Sequence, residues 1–203
     1  MIRNETEDGV CIVTIDRPEK AGALSAMMLQ DLVAAMEAAQ SADAVILTGS
    51  GQTFSAGADL GETRSGLITS PLWEEVSSAI AALPSLSIAA LNGTVAGGAM
   101  GMILACDLRI ADPAATFFYP VMKLGFLPQP SDPGRLRALI GPARTKLLLM
   151  AGQKLSAQDA LDYGLVDRLV ASQDLLDTAC ALARDSRSAD PGLRAAIKSI
   201  CTP

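Results

Sequence analysis

Histidine is absent from the 203-residue chain. That absence removes both Ser-His-Asp and Cys-His hydrolytic machinery, together with the commonest protein ligand for a transition metal. Cysteine is scarce, and the four present (Cys11, Cys106, Cys180, Cys201) form no CxxC pair. Neither a zinc site nor a redox dithiol is indicated, so no metal is expected. Cys11 and Cys106 sit in apolar runs and read as small core residues. Aromatics make up only 3% of a chain that is 50% hydrophobic, so the core must be built from Ala, Leu, Ile, Val and Met. Positive charge is in deficit, with a net charge of −6. This argues against nucleic acid as a partner, because phosphate backbones select basic surfaces. The N-terminus, MIRNETEDG, is charged and polar and lacks a secretory pattern. A cytoplasmic protein with reduced thiols is the expectation.

Charge is missing altogether from Val76 to Cys106, a stretch long enough for a transmembrane helix. Pro84, Asn92-Gly93 and Gly97-Gly98 punctuate it as helix, strand, turn and helix. A deeply buried centre with no membrane partner is therefore expected. Val10 to Ile15 (VCIVTI) has the β-branched content of a strand, ended by Asp16-Arg17-Pro18. Ser25 reads as the N-cap of a helix whose Leu29, Leu32, Val33 and Met36 recur at helical spacing. Ala44 to Thr48, Ser87 to Leu91 and Leu108 to Ala111 read as strands, and Leu72 to Leu83 as a helix. From Ser131 onward, short helices carry Leu136, Leu139 and Ile140, then Leu147 to Met150. Val166 to Val170 is a last strand and Leu175 to Arg184 a helix. Alternating strands and helices predict an α/β fold, and with no linker in 1–203, a single domain.

Two loops are rich in small residues. GSGQTFSAGAD (Gly49 to Asp59) follows a strand, and GTVAGGAMG (Gly93 to Gly101) follows a strand and opens an apolar helix. Small residues let a ligand approach the backbone, and two such loops can each offer an N–H to one oxygen. That is the form of an oxyanion hole, which stabilises an enolate or a tetrahedral thioester intermediate. Taken singly, either loop reads more simply as glycines that make tight turns and close helix packing. A Rossmann reading of GSGQTF fails, because Phe54 stands at the third glycine position.

Together these residues resemble the enoyl-CoA hydratase/isomerase (crotonase) superfamily. The resemblance runs from RPEKAGALS (Arg17 to Ser25) through TFSAGADL (Thr53 to Leu60), LNGTVAGGAMGMILACDLRIA (Leu91 to Ala111) and KLGFLP (Lys123 to Pro128) to LSAQDALDYGLVDRLV (Leu155 to Val170). It implies a crotonase-like ββα spiral that binds acyl-CoA or related thioesters in fatty acid metabolism, as a homo-oligomer (trimer or hexamer). CoA would enter as part of the substrate, with no separate cofactor. By motif position the resemblance assigns the thioester oxygen to the N–H groups of Ala56 and Gly98, and places Lys20, Ala58 and Gln129 against the substrate.

Against that pattern, the two hydratase glutamate positions fall on Gly101 and Val121, and a third carboxylate position falls on Gln129. A glutamine amide cannot act as a base at neutral pH, so ordinary hydratase activity is not expected. Asp132 and Glu62 are the substitute candidates for proton transfer. Asp132 also reads as an N-cap, and Glu62 as a solvated loop acid. Asp59 and Asp107 match positions that hold turns and helix ends, and Tyr119 reads as a core residue. Gly61 and Gly22 replace a lysine and an asparagine of the pattern. The chain stops at IKSICTP, about where the family's last helices begin, so a truncated C-terminal helical part is expected. It would leave the pocket more open or have a neighbouring chain close it. Two functions remain: enolate chemistry (isomerisation, decarboxylation or atypical hydration), or a catalytically silent acyl-CoA-binding or accessory protein.

Overall fold

The chain begins with a hairpin, β1 (Ile2–Glu7) and β2 (Val10–Ile15), and a helix, α1 (Ala26–Ala38). A unit of long strand, short strand and helix then repeats three times in the computed structural model, which describes residues 1–62 and 66–201. Its first turn is β3 (Ala44–Gly49), β4 (Thr53–Ser55) and α2 (Leu72–Ala81). The second is β5 (Leu86–Leu91), β6 (Thr94–Ala96) and α3 (Ala99–Ala105). The third is β7 (Leu108–Ala111), β8 (Thr116–Phe118) and α4 (Val121–Leu124). The chain continues through α5 (Asp132–Leu149), β9 (Leu155–Ser156), α6 (Ala157–Tyr163), β10 (Arg168–Leu169), α7 (Leu175–Leu182), α8 (Arg184–Ser188) and α9 (Pro191–Cys201).

Long strands collect in one sheet, ordered β1-β2-β3-β5-β7-β10, and short strands in a second, ordered β4-β6-β8-β9. All neighbours are parallel except the β1–β2 and β8–β9 pairs. This is the expected ββα spiral. Alternating side chains bury both faces of the large sheet, as parallel sheets require. Val45, Leu47, Ala89 and Leu91 face the main core with Met36, Ile80 and Ile103. Ile46, Ile88, Ala90 and Ile110 meet Leu175 and Ala179 of α7. The charge-free stretch therefore runs through the middle of the protein. Among the described residues no helix is long and apolar enough to cross a membrane.

Local signals explain most boundaries. Ser25 caps α1, its hydroxyl accepting from Met28 N at 3.2 Å, and Met28, Leu29, Leu32 and Met36 form the buried stripe. The C-terminus of α3 is closed by Arg109 of β7, which is 3% exposed. Its guanidinium donates to Cys106 O (2.7 Å), Ile103 O (3.3 Å), Leu165 O (2.9 Å) and Asp107 O (3.2 Å), and Asp167 lies 3.6 Å away.

Four boundaries differ from expectation. The polar N-terminus forms β1, an edge strand exposed along most of its length. The short helices after Ser131 share one range, α5, broken at Gly141 (φ 75°, ψ 167°), after which Pro142 starts the second segment. The last strand shrinks to Arg168–Leu169, and the helix expected to run to Arg184 ends at Leu182.

Candidate active site

Strands β4 and β6 are parallel neighbours, with Thr53 beside Thr94 and Ser55 beside Val95. The loops that follow them therefore leave the same edge of the small sheet side by side. They approach so closely that a Cβ at Gly57 would stand 2.8 Å from Ala96 O, and Gly57 itself adopts φ +88°. Gly57→Ala is accordingly expected to destabilise the protein by at least about 2 kcal/mol, combining left-handed backbone strain with a backbone clash. Urea denaturation checks this; an unchanged midpoint would show that the loops part without cost.

The first loop is stitched to residues 21–24. Ala56 N donates to Ala21 O (2.9 Å), Leu24 N to Gly57 O (2.8 Å) and Asp59 N to Leu24 O (2.9 Å). Ser55 Oγ donates to Gly22 O (2.8 Å) and accepts from Gly57 N (3.1 Å). In the second loop Gly97 N donates to Phe118 O (3.1 Å). Two N–H groups are left over: among the described residues neither Ala58 N nor Gly98 N has an acceptor. Both residues line one cleft of about 130 Å³, with Ala56, Ile68, Trp73 and Leu124. The Trp73 indole lies across the start of α3, so close that a Cβ at Gly98 would stand 2.6 Å from the ring. Its Nε1–H is anchored on Leu67 O at 2.8 Å. A smaller recess of about 40 Å³ continues from Gly98 to Tyr119, Val121, Leu127 and Gln129. Among the described residues no charged side chain lines either space.

The Ala56 assignment is thus corrected. Its N–H is consumed by Ala21, and the unclaimed donor lies two residues on, at Ala58. Motif position alone does not separate the two alanines, because the direction of each N–H depends on the left-handed turn at Gly57.

Asp132 departs from its expected role as an N-cap. Ser131 holds the cap position, and its N–H and hydroxyl donate to the Glu74 carboxylate. Asp132 is instead fully buried and turned inward, where Oδ2 accepts from Tyr119 Oη at 2.8 Å. Oδ1 has no partner. The carboxylate sits where α3 has no side chain: a Cβ at Gly101 would stand 2.8 Å from Oδ1. Burial raises the Asp132 pKa to about 6, against the Tyr119 hydrogen bond and the Arg135 charge, while Glu74 adds to the rise. Tyr119 is buried, as expected, but it has a partner; burial and then the Asp132 charge push its phenol upward. Its oxygen also accepts from Gln129 N at 3.3 Å. The structure therefore brings Ala58, Gly98, Gln129, Tyr119 and Asp132 together.

Glu62 and Lys20 are not among them. Glu62 is no free loop acid: Oε2 accepts from Ala26 N (2.9 Å) at the start of α1. Lys20 is exposed and lines neither space. Asp59 and Asp107 do hold local structure. Asp59 pairs with Arg17 at 2.7 Å, and its carboxyl is held below the usual range by the Gly61 N–H and then by Arg17. Asp107 accepts from Ser87 N (2.8 Å), Ser87 Oγ (2.9 Å) and Lys198 Nζ (2.7 Å). A larger cavity of about 480 Å³ lies against α9, but its cations are engaged, Arg194 with Asp43 and Lys198 with Asp107, both at 2.7 Å.

The family model for enoyl-CoA hydratase/isomerase matches residues 5–202. The chain belongs to that family. It is similar to YngF of Bacillus subtilis, whose name places it among enoyl-CoA hydratases/isomerases, with 39% identity over 86% of this chain and 70% of the relative. It is also similar to 4-chlorobenzoyl coenzyme A dehalogenase-2 of an Arthrobacter species, with 31% identity over 96% of this chain and 75% of that one. Among solved structures, an enoyl-CoA hydratase from Bacillus anthracis superposes with a TM-score of 0.90 at 30% identity, covering 98% of this chain and 81% of the other. Within the enoyl-CoA hydratase/isomerase family, this member has a cleft that, among the described residues, carries two unclaimed backbone donors and no carboxylate on its surface.

Proposed function

We propose that the protein binds an acyl-CoA or related thioester in the cleft beside Gly98, where the N–H groups of Ala58 and Gly98 hold the thioester oxygen. The observation that carries this reading is the pair itself: two donors from adjacent loops that, among the described residues, have no acceptors and share one cleft. A donor fixed in place before charge develops is worth about 10²–10³ in rate. The charge stabilised is that of an enolate, so the chemistry is double-bond isomerisation, decarboxylation or an atypical hydration. The names of similar proteins, an enoyl-CoA hydratase and a coenzyme A dehalogenase, support a CoA thioester.

CoA enters as part of the substrate, with no separate cofactor, and exposed Lys20 offers a cation to its phosphates. A cytoplasmic homo-oligomer, trimer or hexamer, is part of the same reading. Exposed Leu124 and Leu127 at the rim of the cleft suit cover by a neighbouring copy. The absence of a carboxylate among the described residues of the cleft surface favours a second reading, a catalytically silent acyl-CoA carrier or accessory subunit.

Infrared difference spectroscopy with but-2-enoyl-CoA tests the thioester reading. The carbonyl stretch is expected at lower wavenumber when bound. A CoA thioether without the carbonyl should bind roughly tenfold more weakly, the worth of about one hydrogen bond. A carbonyl band at its solution position, with equal affinity for the thioether, would sink the reading.

A further inference from the structure

We propose that Tyr119 and Asp132 form the proton relay of this cleft, with Tyr119 Oη meeting the acidic C–H of the substrate and Asp132 Oδ2 holding the proton behind it. The inference rests on the thioester reading above and adds the missing base to it. Tyr119 lines the recess that starts at Gly98, which sets its side chain beside the space that receives the carbons next to a thioester held there. Its hydroxyl donates to Asp132 Oδ2 at 2.8 Å. One lone pair accepts from Gln129 N, which leaves the second for a proton from the substrate.

Asp132 has the features of a group kept for reaction rather than for folding. It is 0% exposed and among the described residues makes no ion pair within 4 Å. One carboxylate oxygen is left without any partner, although buried polar atoms are ordinarily satisfied. It forgoes the helix-capping position beside it. The absence of a side chain at Gly101 makes the room it occupies. The charged and titratable groups facing it are Tyr119 from the β8–α4 junction, Glu74 from α2 and Arg135 from its own helix. Helix α3 presents none, and Lys123 of α4 is exposed to solvent.

The step balances. The Cα–H bond of the thioester breaks and its proton passes to Tyr119 Oη, while the phenol's own proton moves to Asp132 Oδ2. The electron pair delocalises onto the thioester oxygen between Ala58 N and Gly98 N. Reversal returns a proton to Cα, giving exchange, or to Cγ of a 3-enoyl chain, moving the double bond. Asp132 must be ionised to accept. Since its pKa is raised to about 6, the rate should climb with pH through that region and level off above it. Tyr119 is the catalytic residue here and Asp132 a positioning residue that acts through it.

The test is deuterium incorporation into but-3-enoyl-CoA in D₂O, followed by NMR across pH, for the wild type, Tyr119→Phe and Asp132→Asn. Both variants are expected to lose exchange by about 100-fold or more, while keeping the infrared carbonyl shift, which reports an intact fold and cleft. Asp132→Asn should also lose the rise near pH 6. Exchange within about threefold of wild type in either variant overturns the relay, since a positioned base is worth far more. Wild-type exchange with no bend near pH 6 overturns it without any substitution. A wild type that shifts the carbonyl but never exchanges leaves the thioester reading standing and removes the relay. A wild type with neither loses both.

Discussion

Arg109→Met is expected to destabilise the protein by about 3–5 kcal/mol, the range for removing one side of a buried ionic network. Methionine replaces the packing volume but none of the donors. The four carbonyl oxygens that the guanidinium satisfies, Cys106, Ile103, Leu165 and Asp107, would be left buried without their partner, at about 1–3 kcal/mol for a typical unsatisfied group. Losses within one network do not simply add, hence the narrower total. The damage falls at the C-terminus of α3, whose other end carries Gly98, so the cleft should lose thioester affinity along with the fold. Urea unfolding measures the first effect and carbonyl infrared the second. A variant of wild-type stability would mean that the carbonyls find other donors and that Arg109 does not hold α3.

The second large effect runs in the opposite direction: Asp132→Asn should make the protein more stable above pH 6. The carboxyl titrates near 6 in the folded protein against an ordinary value of 3.8, so the folded state binds the proton more tightly than the unfolded chain. The favourable contribution of the neutral acid is complete below the ordinary value and is lost as pH rises through the folded value. Above that point, keeping the ionised group buried costs up to about 3 kcal/mol, two pH units at about 1.4 kcal/mol each. The amide has the same shape and never ionises. Urea midpoints should therefore coincide for the two proteins near pH 4 and separate in favour of the variant by pH 7. A variant less stable than wild type at pH 7 would show that the Tyr119 hydrogen bond outweighs the burial of charge. A protein that gives up this much stability for one carboxylate fits the usual opposition between stability and activity at working sites.

Much of the fold was readable in the chain. Val10–Ile15 and Ala44–Gly49 are legible because a β-branched run buried on both faces has few alternatives, and α1 because Ser25 and the spacing of Leu29, Leu32 and Met36 agree. Strand β1 was not, since an exposed edge strand needs no apolar alternation; its charged residues also blunt an edge that would otherwise invite pairing. At the site, the two glycine loops announced themselves by composition. What failed were directions. Whether Ala56 or Ala58 keeps a free N–H depends on the turn at Gly57. Whether Asp132 caps its helix or turns inward depends on a glycine and a tyrosine on other elements. Two reciprocal oddities were present as a signal, an acid position emptied at Gly101 and a new acid at Asp132, but only the packing of α3 on α5 joins them.

That packing makes positions 101 and 132 epistatic. A glutamate introduced at 101 would drive its first carbon to 2.8 Å from the Asp132 carboxylate, placing two acids in a space shaped for one. Glycine at 132 alone would leave a hole behind Tyr119. A side chain at 101 should therefore be tolerated only with a smaller residue at 132, so a library randomising both is expected to return compensated pairs that a library at 101 alone does not contain.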